Sequence, residues 1–307
     1  MESHTIKLNG GRNLGFCQYG KPDGIPLMLF HGTPGSRLMP MLEGAAWIEE
    51  SGLRVITPER PGFGISDPAP GRTISDWADD VEQLADYLGL AHYHVAGGSG
   101  GGPYAIACAI RSPERVLSAT LISSGGPPEV MRITKEMQLG NRLIFFGTRY
   151  APFLVRFLLA HVAKALKKDP ERVAAKMAAK LAKTNPHMRE KNRGENLLVQ
   201  LQEAYRQGST GAYCDIRLVG RDWGLDLNTV KVPVFLWHGV ADDLVPVSTA
   251  HGLANLIPGC EAHFIPNAGH LLLGNTEVAS QMAGRMLAVG GSQNVNKHRY
   301  PHHVLSS

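Results

Sequence analysis

A chain of 307 residues with 43% hydrophobic content can bury a full core, and it suits one catalytic domain carrying a sizeable insertion. Its 31 basic and 27 acidic residues leave a formal net charge of only +4, with no Lys/Arg block of the kind that tracks phosphates, so nucleic acid is not an expected partner. Cys17, Cys108, Cys214 and Cys260 lack C-x-x-C spacing, which argues against a zinc site or redox pair and for reduced packing residues.

The first residues, MESHTIKLNGGRN, contain no apolar run behind a basic start, and a cytoplasmic enzyme is expected. Thr5 to Leu8 and Leu14 to Tyr19 flank Asn9-Gly10-Gly11 and predict a β-hairpin. Short apolar runs then alternate with helical stretches: Leu27 to Phe30, Leu53 to Thr57, Tyr93 to Ala96 and Val116 to Ile122 as strands, Ile74 to Leu88 and Pro103 to Arg111 as helices. That alternation predicts an α/β fold with a mostly parallel sheet covered on both faces.

After Ser123 to Pro128 strand signals stop until Val232 to Trp237, and the intervening sequence is helix-like. Asp169-Pro170-Glu171 marks a helix start, with Asp as N-cap and Pro at the first helical position. The apolar stretch from Leu143 to Leu166 is interrupted by Arg149, Pro152, Arg156 and His161, so it predicts helices covering a pocket rather than a membrane span. The basic amphipathic stretch Lys164 to Lys183 suits either a membrane surface or a solvated helix face, and the solvated face is the expected reading because Lys is the usual outward residue on such a helix. The rhythm resumes with the helix Ser248 to Leu256, the strand Glu261 to Ile265 and a last helix from about Glu277 to Leu287. The polar tail 290–307 is expected to be disordered, and its His298, His302 and His303 have no scaffold to fix metal geometry.

Gly97-Gly98-Ser99-Gly100-Gly101 lies between an apolar strand and an apolar helix. A serine on such a sharp turn needs small residues two before and two after it, and Gly97 and Gly101 meet that demand. The helix start also aims backbone N–H groups at the site, the Gly100 N–H among them. A phosphate loop of the Walker type would end in Gly-Lys-Ser/Thr, which is missing.

With this elbow, four further segments resemble those of α/β-hydrolases. His31-Gly32-Thr33-Pro34-Gly35 resembles the loop that supplies the second oxyanion donor, which implies the Thr33 N–H, with His31 holding the loop by hydrogen bonds. His238-Gly239-Val240-Ala241-Asp242 through Val245-Pro246 resembles the acid loop and lands on Asp242, with Asp243 left to a turn or cap role. Gly269-His270 resembles the base position. His238, His251 and His263 are read as structural or surface residues. Pro58 to Asp67 resembles the family's D-x-R-G-x-G-x-S turn after the next strand, with Glu59 where aspartate is common and Pro61 where arginine is, and is assigned to loop architecture.

The resemblance implies a core of residues 1–126 and 229–289 with a helical cap, 127–228, inserted after the sixth strand. It implies a serine hydrolase in which Ser99 attacks a small carboxylic ester, His270 is the base, Asp242 orients it, and the Thr33 and Gly100 N–H groups bind the oxyanion, with no metal or organic cofactor. Phe145, Phe146, Tyr150, Phe153, Phe157 and Leu158 either suit an apolar acyl or alcohol group or bury the cap against the core. One alternative is a proline-iminopeptidase-like aminopeptidase, from which the chain departs at Thr33 (usually Gly) and Gly100 (usually Trp), and which needs acidic cap residues such as Glu195 or Glu203. Dehalogenases and epoxide hydrolases carry aspartate in place of Ser99. A non-catalytic ligand receptor on the same fold is separated from all of these by turnover of a generic ester.

Overall fold

The computed structural model describes residues 2–131 and 133–294, the side chains of 290–294 excepted. The N-terminal hairpin forms as expected from β1 (Ser3–Lys7) and β2 (Asn13–Gly20), paired antiparallel with Ile6 opposite Leu14. Next come β3 (Ile25–Phe30), the short helices α1 (Met39–Glu43) and α2 (Ala46–Ser51), β4 (Leu53–Pro58), α3 (Asp76–Tyr87), β5 (Tyr93–Gly98), α4 (Gly102–Arg111) and β6 (Val116–Ile122). The strands lie in the order β1-β2-β4-β3-β5-β6, and every neighbouring pair from β4 to β6 is parallel.

In β3, Met28 and Phe30 join one apolar cluster with Ile56, Trp77, Val81 and Ile106, while Leu27 and Leu29 join another with Val55, Ala96, Trp47 and Met282. Both faces of the central strand are therefore dry, as a parallel sheet covered by helices requires.

Between β6 and the next strand run α5 (Leu139–Tyr150), α6 (Pro152–Lys168), α7 (Pro170–Leu181), α8 (Arg193–Ala204) and α9 (Thr210–Val219). Asp169 caps α7 as expected, its side chain accepting from the Arg172 N–H. These helices bury a cluster of their own, including Val155, Leu159, Leu181, Leu197 and Leu201, into which Leu42 and Phe63 reach from the sheet side. The outer aromatics do not follow the expectation: Phe146, Tyr150, Phe153 and Phe157 are exposed, because α5 and α6 turn Gly147, Val155 and Leu159 inward instead.

The sheet resumes with β7 (Val234–Gly239), α10 (Val247–Leu256), β8 (Glu261–Ile265) and α11 (Thr276–Asn294), which adds β7 and β8 in parallel beyond β6. Helix α11 extends past Leu287, so 290–294, expected to open a disordered tail, are helical. Glycine weakens a helix by about 1 kcal/mol but does not end one, and no proline follows until Pro301. Residues 295–307, with the tail histidines, lie outside the described residues. Among the described residues no helix is long and apolar enough to cross a membrane.

Candidate active site

The carboxyl ends of β3, β5, β7 and β8 converge on the segments singled out in the sequence. Ser99 follows β5 in a single turn of 3-10 helix and has φ of 52°, a left-handed conformation that costs a non-glycine residue about 1–2 kcal/mol. The close packing around it explains the glycines. A Cβ on Gly97 would stand 2.2 Å from the Gly101 carbonyl oxygen, and one on Gly101 would stand 2.5 Å from that of Phe30.

Thr33 and Gly100 are adjacent. A Cβ on Gly100 would lie 3.4 Å from the Thr33 nitrogen and 2.5 Å from Thr33 Oγ1, so the threonine side chain fills the space in which a side chain at 100 would begin. A Cβ on Gly32 would approach Ser99 Oγ to 3.9 Å, which sets the loop after β3 beside that hydroxyl.

Asp242 and His270 are brought together. His270 Nδ1 donates to Asp242 Oδ2 at 2.7 Å, while Asp242 Oδ1 accepts from the N–H groups of Leu244 (2.8 Å) and Val245 (3.0 Å). Burial alone would raise the Asp242 carboxyl, but a protonated His270 and its hydrogen bond outweigh burial and hold it below the usual range. Burial likewise opposes charge on His270, yet Asp242, with a contribution from Glu43, holds the imidazole above its ordinary value. Among the described residues no hydrogen bond joins Ser99 to His270. Asp243 faces away: its carboxylate accepts from Gln138 Nε2 (2.9 Å) and Thr184 Oγ1 (3.3 Å).

His31 lies against the loop, its Nδ1 donating to Gly32 O (2.8 Å) and its Nε2 accepting from the Arg60 N–H (3.1 Å). Burial, with the charge of Arg60, keeps it neutral. His238 Nε2 donates to Val245 O (3.0 Å) and sits 3.4 Å from Asp242 Oδ2, closer to the acid than a merely structural strand-end role required. His263 pairs with Glu261 and His251 stacks on Phe264, both apart from Asp242 and His270.

Several residues at the site went unnoticed in the sequence. Asp215, buried on α9, accepts from Thr33 Oγ1 (2.9 Å), Arg60 Nε (2.8 Å), Tyr104 Oη (2.8 Å) and Arg72. Arg60 in turn donates to the carbonyls of His31 (2.5 Å) and Gly32 (2.9 Å). Asn185 Oδ1 accepts from the Leu271 N–H at 2.8 Å, next to His270. Glu43, buried on α1, accepts from the Leu273 N–H (3.1 Å), and burial pushes its carboxyl up to about 7. The one sequence signal for Asp215 was an acid inside the apolar run GAYCDIRLV; the others carried none.

The helical segment thus touches the loops bearing Thr33, Asp243 and His270. Comparison with known proteins agrees with this architecture. Over 278 residues the chain is 26% identical to the uncharacterized hydrolase YcgS of Bacillus subtilis, covering 90% of this chain and 94% of that one. It is 33% identical over 105 residues, 33% of each chain, to the proline iminopeptidase of Neisseria gonorrhoeae. Its fold is similar to that of a thermophilic esterase from Thermogutta terrifontis, with a TM-score of 0.65 at 24% identity, covering 94% of this chain and 98% of that one. The family model for the alpha/beta hydrolase fold matches residues 25–275, and the chain belongs to that family.

Proposed function

We propose that this protein is a serine hydrolase that cleaves a small carboxylic ester through an acyl-enzyme. The observation that carries the reading is the 2.7 Å bond from His270 Nδ1 to the buried Asp242 carboxylate, on loops that open at the same edge of the sheet as the Ser99 turn. With Nδ1–H committed to Asp242, Nε2 is the lone pair that takes the Ser99 proton as Oγ attacks the ester carbonyl. The carbonyl oxygen gains its charge beside the Thr33 and Gly100 N–H groups. Collapse expels the alcohol with a proton from His270, and water activated by the same nitrogen releases the acid. The helical segment acts in this reading as a cap over the site, spanning 127–228, and the core as 1–126 with 229–289.

An aminopeptidase is the second reading, favoured by the identity to a proline iminopeptidase. Against it, Thr33 occupies the room that a large residue at 100 would need. The acids expected to hold a peptide amine are also placed otherwise: Glu203 pairs with Arg37 and Arg206, and Glu195 is exposed.

A fluorophosphonate probe tests the assignment. It should label the protein at Ser99 and leave Ser99→Ala unlabelled, and p-nitrophenyl esters should turn over faster than proline p-nitroanilide. Labelling of Ser99→Ala overturns the nucleophile, the reverse substrate ranking favours the aminopeptidase, and probe and esters both without reaction favour a ligand receptor.

A further inference from the structure

Among the described residues, every exposed large hydrophobic except Tyr87, Val199 and Val240 lies between Ile133 and Leu158. All of them but Ile133 belong to one hairpin, that of α5 and α6. On α5, Leu139, Leu143, Phe146 and Tyr150 recur at helical spacing and all face outward, as do Phe153 and Phe157 on α6, at 70% and 68% exposure. Buried Val155, Leu159 and Ala163 hold the opposite side of α6 to the body, so the outer aromatics contribute nothing to that packing.

Charge on the hairpin has one sign. No acidic residue occurs between Glu136 and Asp169, whereas Arg142, Arg149, Arg156, Lys164, Lys167 and Lys168 are all exposed there. None of these six makes an ion pair among the described residues; Arg149 lies over the Tyr150 ring, 5.5 Å from its centroid. Lys164 and Lys168 follow Phe153 and Phe157 on the same helical face, so the surface passes from aromatic to cationic along α6. Helices that lie in a membrane interface combine these features: aromatic and aliphatic side chains on the outer face, cations beside them, and too few consecutive apolar residues to span.

A second copy of the chain fits this surface poorly. A two-fold contact would press the patch on itself and bring arginine against arginine with no acid to compensate.

We infer that the α5–α6 hairpin docks on an anionic lipid bilayer, Phe153 and Phe157 entering the interface while Arg149, Arg156, Lys164 and Lys168 meet phosphate headgroups. The inference concerns binding and is independent of the reaction at Ser99. Because Gln138, at the start of α5, is bonded to Asp243 by both its N–H (2.8 Å) and its side chain, docking would hold the lipid surface next to the acid loop.

Co-sedimentation of the full chain with vesicles tests this. Binding is expected to phosphatidylcholine vesicles containing about one third phosphatidylglycerol, to weaken between low and high salt, and to be slight on phosphatidylcholine alone. Phe153→Ser with Phe157→Ser should raise the lipid concentration for half-binding at least tenfold with an unchanged melting temperature, and Arg149→Glu with Arg156→Glu should abolish the preference for anionic lipid. Absence of sedimentation, equal binding to both vesicles, or undiminished binding by the serine variant overturns the inference. So does light scattering that finds a dimer which the serine variant dissociates.

Discussion

Thr33 Oγ1 donates to Asp215 Oδ2 at 2.9 Å, and this bond joins the loop after β3 to helix α9. The same carboxylate faces the guanidinium groups of Arg60 and Arg72, which, against the cost of burial, hold it far below the ordinary carboxylate range. A single buried acid thereby sets the position of the proposed oxyanion donor through Thr33 and, through Arg60, the carbonyls of His31 and Gly32.

Asp215→Asn keeps the shape and removes the charge, leaving two buried cations short of a partner. Breaking such a pair costs about 3–5 kcal/mol, so the melting temperature should fall by several degrees. With the loop loosened, kcat on the best ester should fall at least tenfold with a smaller change in KM. The sign with pH follows from the depressed carboxyl: its stabilisation is present above the usual carboxylate range and fades as pH falls through it, so the variant should lose less stability on acidification than the parent. A variant with parental stability and kcat would remove Asp215 from any positioning role.

Glu43 acts in the opposite sense. Its carboxyl is raised from 4.5 to about 7 by burial, so its ionised form destabilises the fold: the penalty is absent below 4.5 and complete above 7. Glu43→Gln should match the parent near pH 5 and exceed it at pH 8 by up to about 3 kcal/mol in denaturant titrations. Because the Glu43 charge helps hold His270 protonated, the variant should also shift the acid limb of kcat/KM to lower pH. An acid limb that stays in place or moves up would show that Glu43 does not act on His270, the proposed base.

Gly100→Ala places a Cβ against Thr33 Oγ1, and activity should drop more than tenfold as the two proposed oxyanion donors are pushed apart. Thr33→Gly retains the N–H and clears the space, so the double variant should recover part of the loss. The coupling read from the cycle is then of opposite sign to the single losses. Simple additivity would mean that the Thr33 side chain is not what excludes a residue at 100.

Asp242→Asn preserves packing but can hold the wrong tautomer of His270, and by analogy with serine-protease triads kcat should fall by up to about 10⁴-fold. Asp243→Asn should change kcat less than tenfold, since its carboxylate bonds Gln138 and Thr184 rather than the imidazole. The reverse order of severity would shift the acid by one residue.

What could be read in advance follows the range of the physics involved. The parallel strands were legible because each is a short apolar run bounded by turn residues, and β6 and β8 have the bounds expected for them. The meeting of Asp242 with His270 was legible because each stands just past a recognisable strand. Helices α1 and α2 were not anticipated: they have five and six residues and no side-chain N-cap bond, too little for periodicity to register. Asp215, Asn185 and Glu43 escaped notice because each acts on a residue far away in sequence, and a single polar side chain in an apolar segment does not disclose its partner. The outward Phe153 and Phe157 were unexpected for a related reason, since apolar composition states a preference for burial and not which face finds a neighbour.

The bond between Thr33 and Asp215 spans 182 positions in the chain, and this separation sets the order in which the site can come into being. During synthesis Ser99, Thr33, Arg60 and Arg72 emerge well before the carboxylate that gathers them, and His270 comes later still. A nascent chain halted after β6 holds two arginines awaiting a counter-charge and a loop with nothing to fasten it. Contacts of such long range are the slow ones to close. On the proposed mechanism, competence would therefore come only with the last of these contacts, and a chain stopped before Asp215 would carry Ser99 beside a loop that nothing fastens.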